Sequence, residues 1–487
     1  MRYSTALLPL AASAAAFVVP NEATAEQLVL ENEQQVEKHV SSWWDHTHSL
    51  NDFLSSAERT FESTLDTIEE QASKLSSSLP KVDFELGSEI TDFLPPSDYA
   101  AAEHGHGHVT NLTIYQTIKA SNYTKKFAAL VDDYPDLIKK LNSTSANITV
   151  FVPLNHAFEK IPHHGKDHKP PKEFIEKLIK YHVVPDYFPA GRVLAHHTLP
   201  TALEEEALGG RPQRIRVSVG LFGVKLNFFS KVAYANLRTS NGVIHGVNNI
   251  LVPPPPVKTL ISLFPSKFST FELAAEKSGL KQHHKPDDDA PHRPHLSGLT
   301  LFAPTNTAFQ RLGPAANAFL FNTEKGLRYL RALLEYHIVV NETLYSDAYY
   351  GPKAAGFAPS LELGNHGAGG VEEQDGGEVD AKGAKHYHLD LPTLLDDAHL
   401  AVDITRWLGF INVKVNGRVD VAIQDGLARN GVLQVVDHIL IPPHKHKGEW
   451  NGEVEGEISV EELVERLDPL IKDEEKKDGE EDGAGEL

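Results

Sequence analysis

Three segments of this 487-residue chain occur twice, both times in the same order. Residues 147–158 (NITVFVPLNHAF) resemble residues 298–309 (GLTLFAPTNTAF). A Tyr-His pair follows in each copy, and each copy closes with an Asn-Gly-Val segment that runs to a proline, at residues 241–253 and 430–442. A repeat unit of this length is a whole domain, because the units of solenoids are much shorter. The chain is therefore predicted to contain two domains of one fold.

The repeats also set the expected domain boundaries. The second copy is longer than the first between its Tyr-His pair and its Asn-Gly-Val segment, and a Gly-rich acidic stretch at about residues 351–385 is the expected insertion. Apolar residues at helix-like spacings predict that the N-terminal extension is helical. In chain order, we predict a signal peptide (1–25), a helical N-terminal extension and linker (26–107), a first domain (108–254), a second domain (257–444) and an acidic tail with a short helix (445–487).

Each copy mixes strands with helices. Residues 149–152 and 300–303 are short apolar runs, typical of buried strands, and each is followed by a proline. Asn155 and Asn306 are predicted to cap the turn that follows, since an Asn side chain accepts a free backbone N–H. Amphipathic stretches that end at the Tyr-His pairs predict helices. This mixture predicts an α+β fold.

The repeated segments resemble the fasciclin (FAS1) domain family, with the pairs Tyr181-His182 and Tyr336-His337 in the family's order. The resemblance implies two tandem FAS1-like β-wedge domains with packed helices, in a secreted or surface protein of cell adhesion, matrix or cell wall. The chain is similar to fungal secreted and vacuolar members. In the family the Tyr-His pair has been linked to adhesion. The residue types themselves favour a helix end, where Tyr packs in the core and His hydrogen-bonds a buried partner.

Among the differences between the repeated segments, three change side chains that could make polar contacts. Leu154, His245 and Asn248 of the first copy stand where the second copy has Thr305, Gln434 and Asp437. We therefore expect the two copies to share a fold while their polar contacts differ.

The N-terminus and the glycosylation sequons predict export. Arg2 is followed by an apolar run from Ala6 to Val19 and by small residues at Ala23–Ala25. This pattern is typical of a secretory signal peptide; the alternative, a membrane anchor, needs about 20 apolar residues. We predict an extracellular or cell-surface destination, with the vacuole lumen as the alternative. N-glycosylation is predicted at five Asn-x-Ser/Thr sites, Asn111, Asn122, Asn142, Asn147 and Asn341.

Composition and motifs argue against several classes of activity. Lys+Arg is 46 against Asp+Glu 67, and the net charge of −21 disfavours nucleic acid, whose phosphates need a basic surface. The chain has no Cys, which excludes disulfides and thiolate metal sites. It contains no G-x-S-x-G elbow, Walker loop, H-E-x-x-H or dinucleotide-binding glycine pattern. We predict a protein that is not an enzyme and binds no cofactor.

Two basic clusters have alternative interpretations. His104, His106 and His108 alternate with glycine and offer imidazoles to a metal ion, but a Gly-rich loop holds its ligands loosely. The 26 histidines also suggest a response to pH, with plain solubility as the ordinary interpretation. Three arginines within residues 211–216 are interpreted as one face of a strand rather than as a polyanion site.

The predicted function is adhesion or the organisation of a cell wall or matrix through non-catalytic binding surfaces. The expected partners are proteins or glycans at a cell surface, wall or matrix. No segment after the leader is long and apolar enough to span a bilayer, so membrane association would be peripheral. Two alternatives stay open: a vacuolar-lumen protein of trafficking or membrane fusion, and a carrier of a small molecule or metal.

Overall fold

The structure is a computed structural model. The predicted signal peptide, the N-terminal extension before residue 110 and the histidines at 104, 106 and 108 lie outside the residues it describes, as does most of the predicted insertion. The described residues are 110–160, 170–220, 223–280, 297–351, 361–362, 378–379, 384–407, 410–443, 445–446, 449–450 and 457–483.

The first copy begins with three helices and continues with a strand-rich half. Its elements are α1 (Ile114–Ala120), α2 (Lys125–Asp132), α3 (Pro135–Asn142), β1 (Ile148–Pro153), a 3-10 helix (Asn155–Lys160), α4 (Lys172–Tyr181), β2 (Val183–Val184), α5 (Ala190–Leu194), β3 (Thr198–Glu205), a second 3-10 helix (Glu206–Leu208), β4 (Arg211–Gly220), β5 (Gly223–Leu226), β6 (Ser230–Thr239) and β7 (Gly242–Val247).

The second copy repeats this plan with additional short strands and a C-terminal helix. Its elements are α6 (Val257–Ser262), α7 (Pro265–Lys277), β8 (Leu299–Pro304), α8 (Asn306–Arg311), α9 (Pro314–Asn322), α10 (Glu324–Tyr336), β9 (Ile338–Val340), β10 (Thr343–Leu344), β11 (Ala348–Tyr350), β12 (Leu361–Glu362), β13 (Glu378–Val379), β14 (Lys385–Pro392), β15 (His399–Trp407), β16 (Phe410–Val415), β17 (Val419–Ala428), β18 (Gly431–Val436), β19 (Lys445–His446), β20 (Glu449–Trp450) and α11 (Val460–Gly483).

Both copies have the same sheet topology. The strand order is β2-β1-β7-β6-β5-β4-β3 in the first copy and β9-β8-β18-β17-β16-β15-β14-β13 in the second. Each sheet contains one parallel pair, β1 with β7 and β8 with β18, and the strands beside it are antiparallel. Because each strand of the first copy has a counterpart at the same place in the second, the sequence repeat is a structural repeat. The prediction of two α+β domains of one fold is confirmed.

Strand β1 of the first sheet is buried on both faces, since side chains alternate along a strand. On one face, Val150 and Val152 pack with Ile114 of α1 and Phe127 of α2. On the other, Phe151 packs within a cluster formed by β3, β4 and β7. The sheet therefore separates a helical layer from a layer enclosed by its own curved strands.

The Asn of each Asn-Gly pair binds the start of its domain's first described helix. Oδ1 of Asn241 accepts the N–H of Ile114 at 2.8 Å, at the start of α1. Oδ1 of Asn430 accepts the N–H of Val257 at 2.9 Å, at the start of α6. Each side chain satisfies an N–H that has no partner within its helix, so it joins the helical layer to the sheet.

The Gly of each pair allows close approach to the parallel partner strand. A Cβ atom on Gly242 would lie 2.0 Å from the carbonyl oxygen of Ile148, and one on Gly431 would lie 2.1 Å from that of Leu299. Any other residue would force the parallel strands apart at this point.

Asn155 and Asn306 do not cap the turns that follow them. Oδ1 of Asn155 accepts the N–H of Lys126 in α2 at 3.0 Å, and Oδ1 of Asn306 accepts that of Thr270 in α7 at 2.9 Å. The cap of α8 is Thr305, whose hydroxyl accepts a backbone N–H of the first turn. The capping prediction is wrong because the cap is the extended residue before the helix, and Asn306 is already the first helical residue.

The helix in the acidic tail is longer than the short helix predicted. The Ser459 hydroxyl accepts the N–H of Glu462 at 3.1 Å, and α11 then runs for 24 residues. Leu463 and Leu467 are fully buried against the second copy. The prediction of a short helix was based only on the apolar residues of the first turns, such as Leu463 and Leu467. The Glu- and Lys-rich residues that follow them also favour helix. None of the helices that the structure describes is long and apolar enough to cross a bilayer.

Candidate functional site

The Tyr-His pair ends a helix in each copy and places both side chains in the core. His182 and His337 are fully buried. Their Nδ1 atoms donate to carbonyl oxygens one helical turn earlier, at Leu178 (2.8 Å) and Leu333 (2.7 Å). Each Nε2 accepts a backbone N–H at 2.9 Å from the segment that follows the last strand of the sheet. The rings therefore tie helix to sheet in the same way in both copies.

The tyrosines of the pairs also have matching partners. The Tyr181 hydroxyl donates to a carbonyl of β4 at 2.9 Å and accepts from Asn227 at 2.8 Å. The Tyr336 hydroxyl donates to a carbonyl of β15 at 3.1 Å and accepts from Asn416 at 3.0 Å. Both asparagines have left-handed backbones, with φ of 48° and 51°. Sequence analysis missed them, although Asn in a hairpin turn is a known signal for this conformation.

Burial sets the charge states of these groups. It lowers the pKa of His182, His245 and His337 to about 4, so all three rings are neutral at pH 7. It raises the pKa of Tyr336 to about 12 and also raises the pKa of Tyr181. A neutral buried ring presents neither charge nor surface to a partner. In the described structure the pairs stabilise the fold and offer no binding surface of their own.

His245 of the first copy is replaced by Gln434 in the second, and the two side chains make the same hydrogen bonds. His245 Nε2 donates to a loop carbonyl at 2.8 Å, and Nδ1 accepts the N–H of Asn236 at 3.3 Å. Gln434 Nε2 donates to a loop carbonyl at 2.8 Å, and Oε1 accepts the N–H of Asp425 at 3.2 Å. Gln therefore reproduces both hydrogen bonds without a titratable ring.

The other two differences change the contacts. The Thr305 hydroxyl donates to Asp437 at 3.4 Å. In the first copy Leu154 has no hydroxyl, and Asn248 accepts the backbone N–H of Lys231 at 2.8 Å instead. A 3-10 helix follows Leu154, whereas an α-helix follows Thr305. The two copies therefore share a fold, and their polar contacts differ at two of the three positions, whereas His245 and Gln434 keep theirs.

The sequons have two kinds of environment. Asn341 is half-buried with φ of 64°, and its Oδ1 accepts the N–H of Ser297 at 3.1 Å. The remaining sequons belong to the first copy and are exposed, at Asn111, Asn122, Asn142 and Asn147. Glycosylation stays a prediction, and these four side chains are accessible for it.

The described residues contain no group of three or more His, Asp or Glu that could hold a metal ion. The predicted ligands His104, His106 and His108 lie outside those residues, so this prediction stays open.

The three arginines of residues 211–216 all lie on β4, and all reach the second copy. The Arg211 guanidinium donates to a carbonyl just beyond β11. Arg214 Nη1 donates to the Tyr350 hydroxyl at 3.2 Å, and Arg216 Nε donates to a carbonyl of β17 at 2.9 Å. The basic cluster is thus a strand, as predicted, and its guanidinium groups join the two domains.

A carboxylate of the second copy completes this joint. Asp347 is fully buried and accepts the N–H groups of His197 (2.8 Å) and Thr198 (2.7 Å) and the Thr198 hydroxyl. Arg214 Nε donates to that hydroxyl at 2.6 Å. Burial raises the pKa of Asp347, but the charge of Arg214 and the Thr198 hydrogen bonds outweigh it, and the pKa lies below its usual range. Asp347 is therefore ionised at neutral pH.

A second buried carboxylate lies close by. Asp425 Oδ1 accepts the N–H of Ser346 at 2.7 Å, and the Ser346 hydroxyl donates to Oδ2. Burial and the charge of Asp347 raise the pKa of Asp425. The first copy has Asn236 at this place, which has no charge. We call Thr198, Arg214, Asp347 and Asp425 the interdomain network. Sequence analysis missed it, and the only available signal was the arginine cluster in an acidic chain.

Comparison with known proteins agrees with this geometry. The Fasciclin domain family matches residues 122–253 and 266–442. The chain belongs to the fasciclin domain family. The Aurofusarin biosynthesis cluster protein S of the fungus Gibberella zeae is 30% identical to this fasciclin chain over 357 residues, which are 70% of the chain and 80% of that protein. The predicted FAS1-like architecture, two tandem β-wedge domains with packed helices, is thereby confirmed.

Other fasciclin relatives match shorter parts. Stabilin-1 of Mus musculus is 31% identical over 143 residues, which are 27% of this chain and 5% of stabilin-1. Periostin of Homo sapiens is 27% identical over 177 residues, 36% of this chain and 19% of periostin. A solved FAS1 domain pair from the insect cell adhesion molecule Fasciclin I aligns with a TM-score of 0.28 and 16% identity, covering 65% of this chain and 96% of that chain.

Proposed function

We propose that this fasciclin protein is exported and acts by binding, without catalysis, in adhesion or in the organisation of a cell wall or matrix. The observation that carries the proposal is the interdomain network. Buried hydrogen bonds from Thr198 and Arg214 to groups of the second copy restrict the motion of one domain against the other. Two domains held in this way present their binding surfaces at a fixed spacing, which favours simultaneous contact with proteins or glycans.

Export is part of the proposal. It rests on the signal-like segment at 1–25 and on the exposed sequons of the first copy. We retain the domain limits 108–254 and 257–444, the extracellular or surface destination and the set of partners as elements of this proposal. Glycans at Asn111, Asn122 and Asn142 would lie at the ends of α1 and α3 and would direct binding to the other surfaces of the first domain.

The experiment compares the secreted chain with a variant that is changed at the contact between the two domains. The full chain is expressed in a fungal host, and its N-terminus, glycan content and adsorption to isolated cell walls and matrix proteins are measured. We expect cleavage near Ala25, glycosylated product in the medium and saturable adsorption. Asp347→Ala should weaken adsorption, whereas Asp403→Asn, an exposed change in the same domain, should not. Retention inside the cell, or no adsorption, would contradict the proposal.

A second candidate function is favoured by one observation. A fungal protein whose name places it in an aurofusarin biosynthesis cluster is similar to this chain over 70% of its length. We therefore also propose an accessory role beside biosynthetic enzymes, including carriage of a small molecule. Mass spectrometry of compounds extracted from the purified chain separates this role from adhesion. A vacuolar role is separated from both by fractionation of a tagged chain.

A further inference from the structure

Apolar side chains are exposed at the ends of matching hairpins in the two copies. Five large hydrophobic side chains are exposed among the described residues, and three of them lie at hairpin ends: Val219 (52%), Trp407 (46%) and Phe410 (70%). The β4–β5 hairpin of the first copy, which carries Val219, corresponds to the β15–β16 hairpin of the second. The second hairpin is the longer one, because Val219 is the counterpart of buried Ile404, but each hairpin ends in exposed apolar side chains.

The aromatic pair of the second hairpin could simply stabilise the hairpin, but the exposure of the pair does not fit that role. Trp407 and Phe410 are directly opposite each other in the strand register. Cross-strand aromatic pairs stabilise hairpins by mutual contact. That role buries the rings, whereas Phe410 is 70% exposed. The hairpin therefore ends in an apolar surface that the described part of the chain leaves open to solvent.

The first hairpin lies in a basic region of an acidic protein. Residues 207–271 contain eight Lys and Arg residues and no Asp or Glu. Lys225 of β5 is directly opposite Lys231 of β6. Like charges in this position repel, and an anionic partner removes the repulsion. In the second hairpin, Arg406 directly precedes Trp407. Both hairpins thus combine an apolar end with nearby positive charge.

The two hairpins are joined close to their ends. Arg216 Nε donates to the carbonyl oxygen of Gln424 at 2.9 Å, and Gln424 Nε2 donates to that of Ile411 at 3.0 Å. Arg216 lies three positions before Val219, and Ile411 directly follows Phe410. The two apolar ends are therefore parts of neighbouring hairpins. We call Val219, Trp407 and Phe410 the hairpin tips.

We propose that the hairpin tips dock on the surface of a phospholipid bilayer with anionic headgroups. The rings of Trp407 and Phe410 enter the headgroup region, where aromatic side chains are favoured, and Lys225 and Lys231 bind the anionic headgroups. Val219 favours lipid over polysaccharide, because an aliphatic group gains from burial among acyl chains but has no flat face for a sugar ring. This inference goes beyond the proposed function and does not depend on it.

The net charge of the chain does not prevent this docking. Charges separated by more than about 8 Å are largely screened at physiological ionic strength. The stretch 207–271 contains no Asp or Glu that would repel an anionic surface. Of the 21 net negative charges, 12 lie in the tail 448–487, which has 16 acidic and 4 basic residues. Binding to anionic lipid is therefore expected to weaken as salt is added.

Vesicle flotation of the full chain tests the proposal. The probes are vesicles of phosphatidylcholine alone and of phosphatidylcholine with phosphatidylserine. We expect the chain to float with the anionic vesicles and far less with the neutral ones. The double variant Trp407→Ser/Phe410→Ser should bind the anionic vesicles at least about tenfold more weakly. Lys225→Glu/Lys231→Glu should remove the preference for anionic over neutral vesicles.

The matched control is Leu112→Ser/Tyr123→Ser. These side chains are 41% and 40% exposed, close to the exposure of Trp407, and lie beside predicted glycosylation sites. This variant should float as the wild type does. Thermal unfolding by circular dichroism should give the same Tm for all variants, because the changed side chains are at least partly exposed.

Three results would overturn the inference. The first is a wild-type chain that does not float with anionic vesicles. The second is a tip variant that floats as well as the wild type. The third is a loss of polysaccharide adsorption or of self-association in the tip variant without any flotation, which would assign the hairpin tips to a glycan or to a second copy. Adsorption to lipid-free cell walls is measured separately, so failure here is distinguishable from failure of the proposed function.

Discussion

Replacing His245 with Gln should make the first domain less sensitive to acid. Burial lowers the pKa of His245 to about 4, whereas its ordinary value is 6.5. Between these two pH values the unfolded chain binds a proton and the native state does not, so the wild type loses stability as the pH falls. Gln434 makes the same two hydrogen bonds in the second copy. His245→Gln therefore keeps the contacts and removes the proton.

The expected magnitude follows from the two pKa values. One pKa unit corresponds to about 1.4 kcal/mol. A pH of 5 lies about 1.5 pH units below the ordinary pKa of 6.5, and over this interval only the unfolded chain binds the proton, which favours unfolding by about 2 kcal/mol. At pH 7 both states are almost entirely neutral at this site. The difference in unfolding free energy between wild type and His245→Gln should thus change by about 2 kcal/mol between pH 7 and pH 5.

Urea unfolding followed by far-UV circular dichroism measures this change. The other buried histidines, His182 and His337, titrate in both proteins and cancel in the difference, as do the buried carboxylates. The two stability curves should converge or cross as the pH falls, with the variant relatively more stable at pH 5. Parallel curves from pH 7 to pH 5 would refute the reasoning, because they would mean that the His245 ring does not exchange protons on unfolding.

Three further predictions concern stability. Asp347→Ala leaves Arg214 buried without its carboxylate and should destabilise the chain by about 3–5 kcal/mol, while Asp403→Asn should leave Tm nearly unchanged in calorimetry. Gly431→Ala should cost about 1–3 kcal/mol or more in urea unfolding, because its Cβ would collide with the partner strand; a silent substitution would disprove the close approach. Thr305→Ala should cost about 1 kcal/mol through the lost cap, and an unchanged urea midpoint would show that the hydroxyl does not cap α8.

The burial of the Tyr-His pairs in the core could be predicted from the sequence, whereas the interdomain network could not. Tyr181 and His182 end an amphipathic helix, so the helical period places them beside apolar residues. Asp347 binds Thr198, which is 149 positions away. No local period relates residues so far apart, and an isolated Asp in a chain with 67 acidic residues is expected to be exposed.

The duplication, the class of fold and the main strands and helices of the repeated segments could be predicted from the amino-acid sequence. They follow from local signals, namely apolar runs that end at proline and amphipathic stretches that end at the Tyr-His pairs, and both copies show them. The contacts between polar groups could be seen only in the folded chain. Asn306 binds α7 instead of its own turn, and the arginines of β4 bind the second copy. Hydrogen-bond partners and burial depend on which distant segments pack together, and local spacing does not specify this.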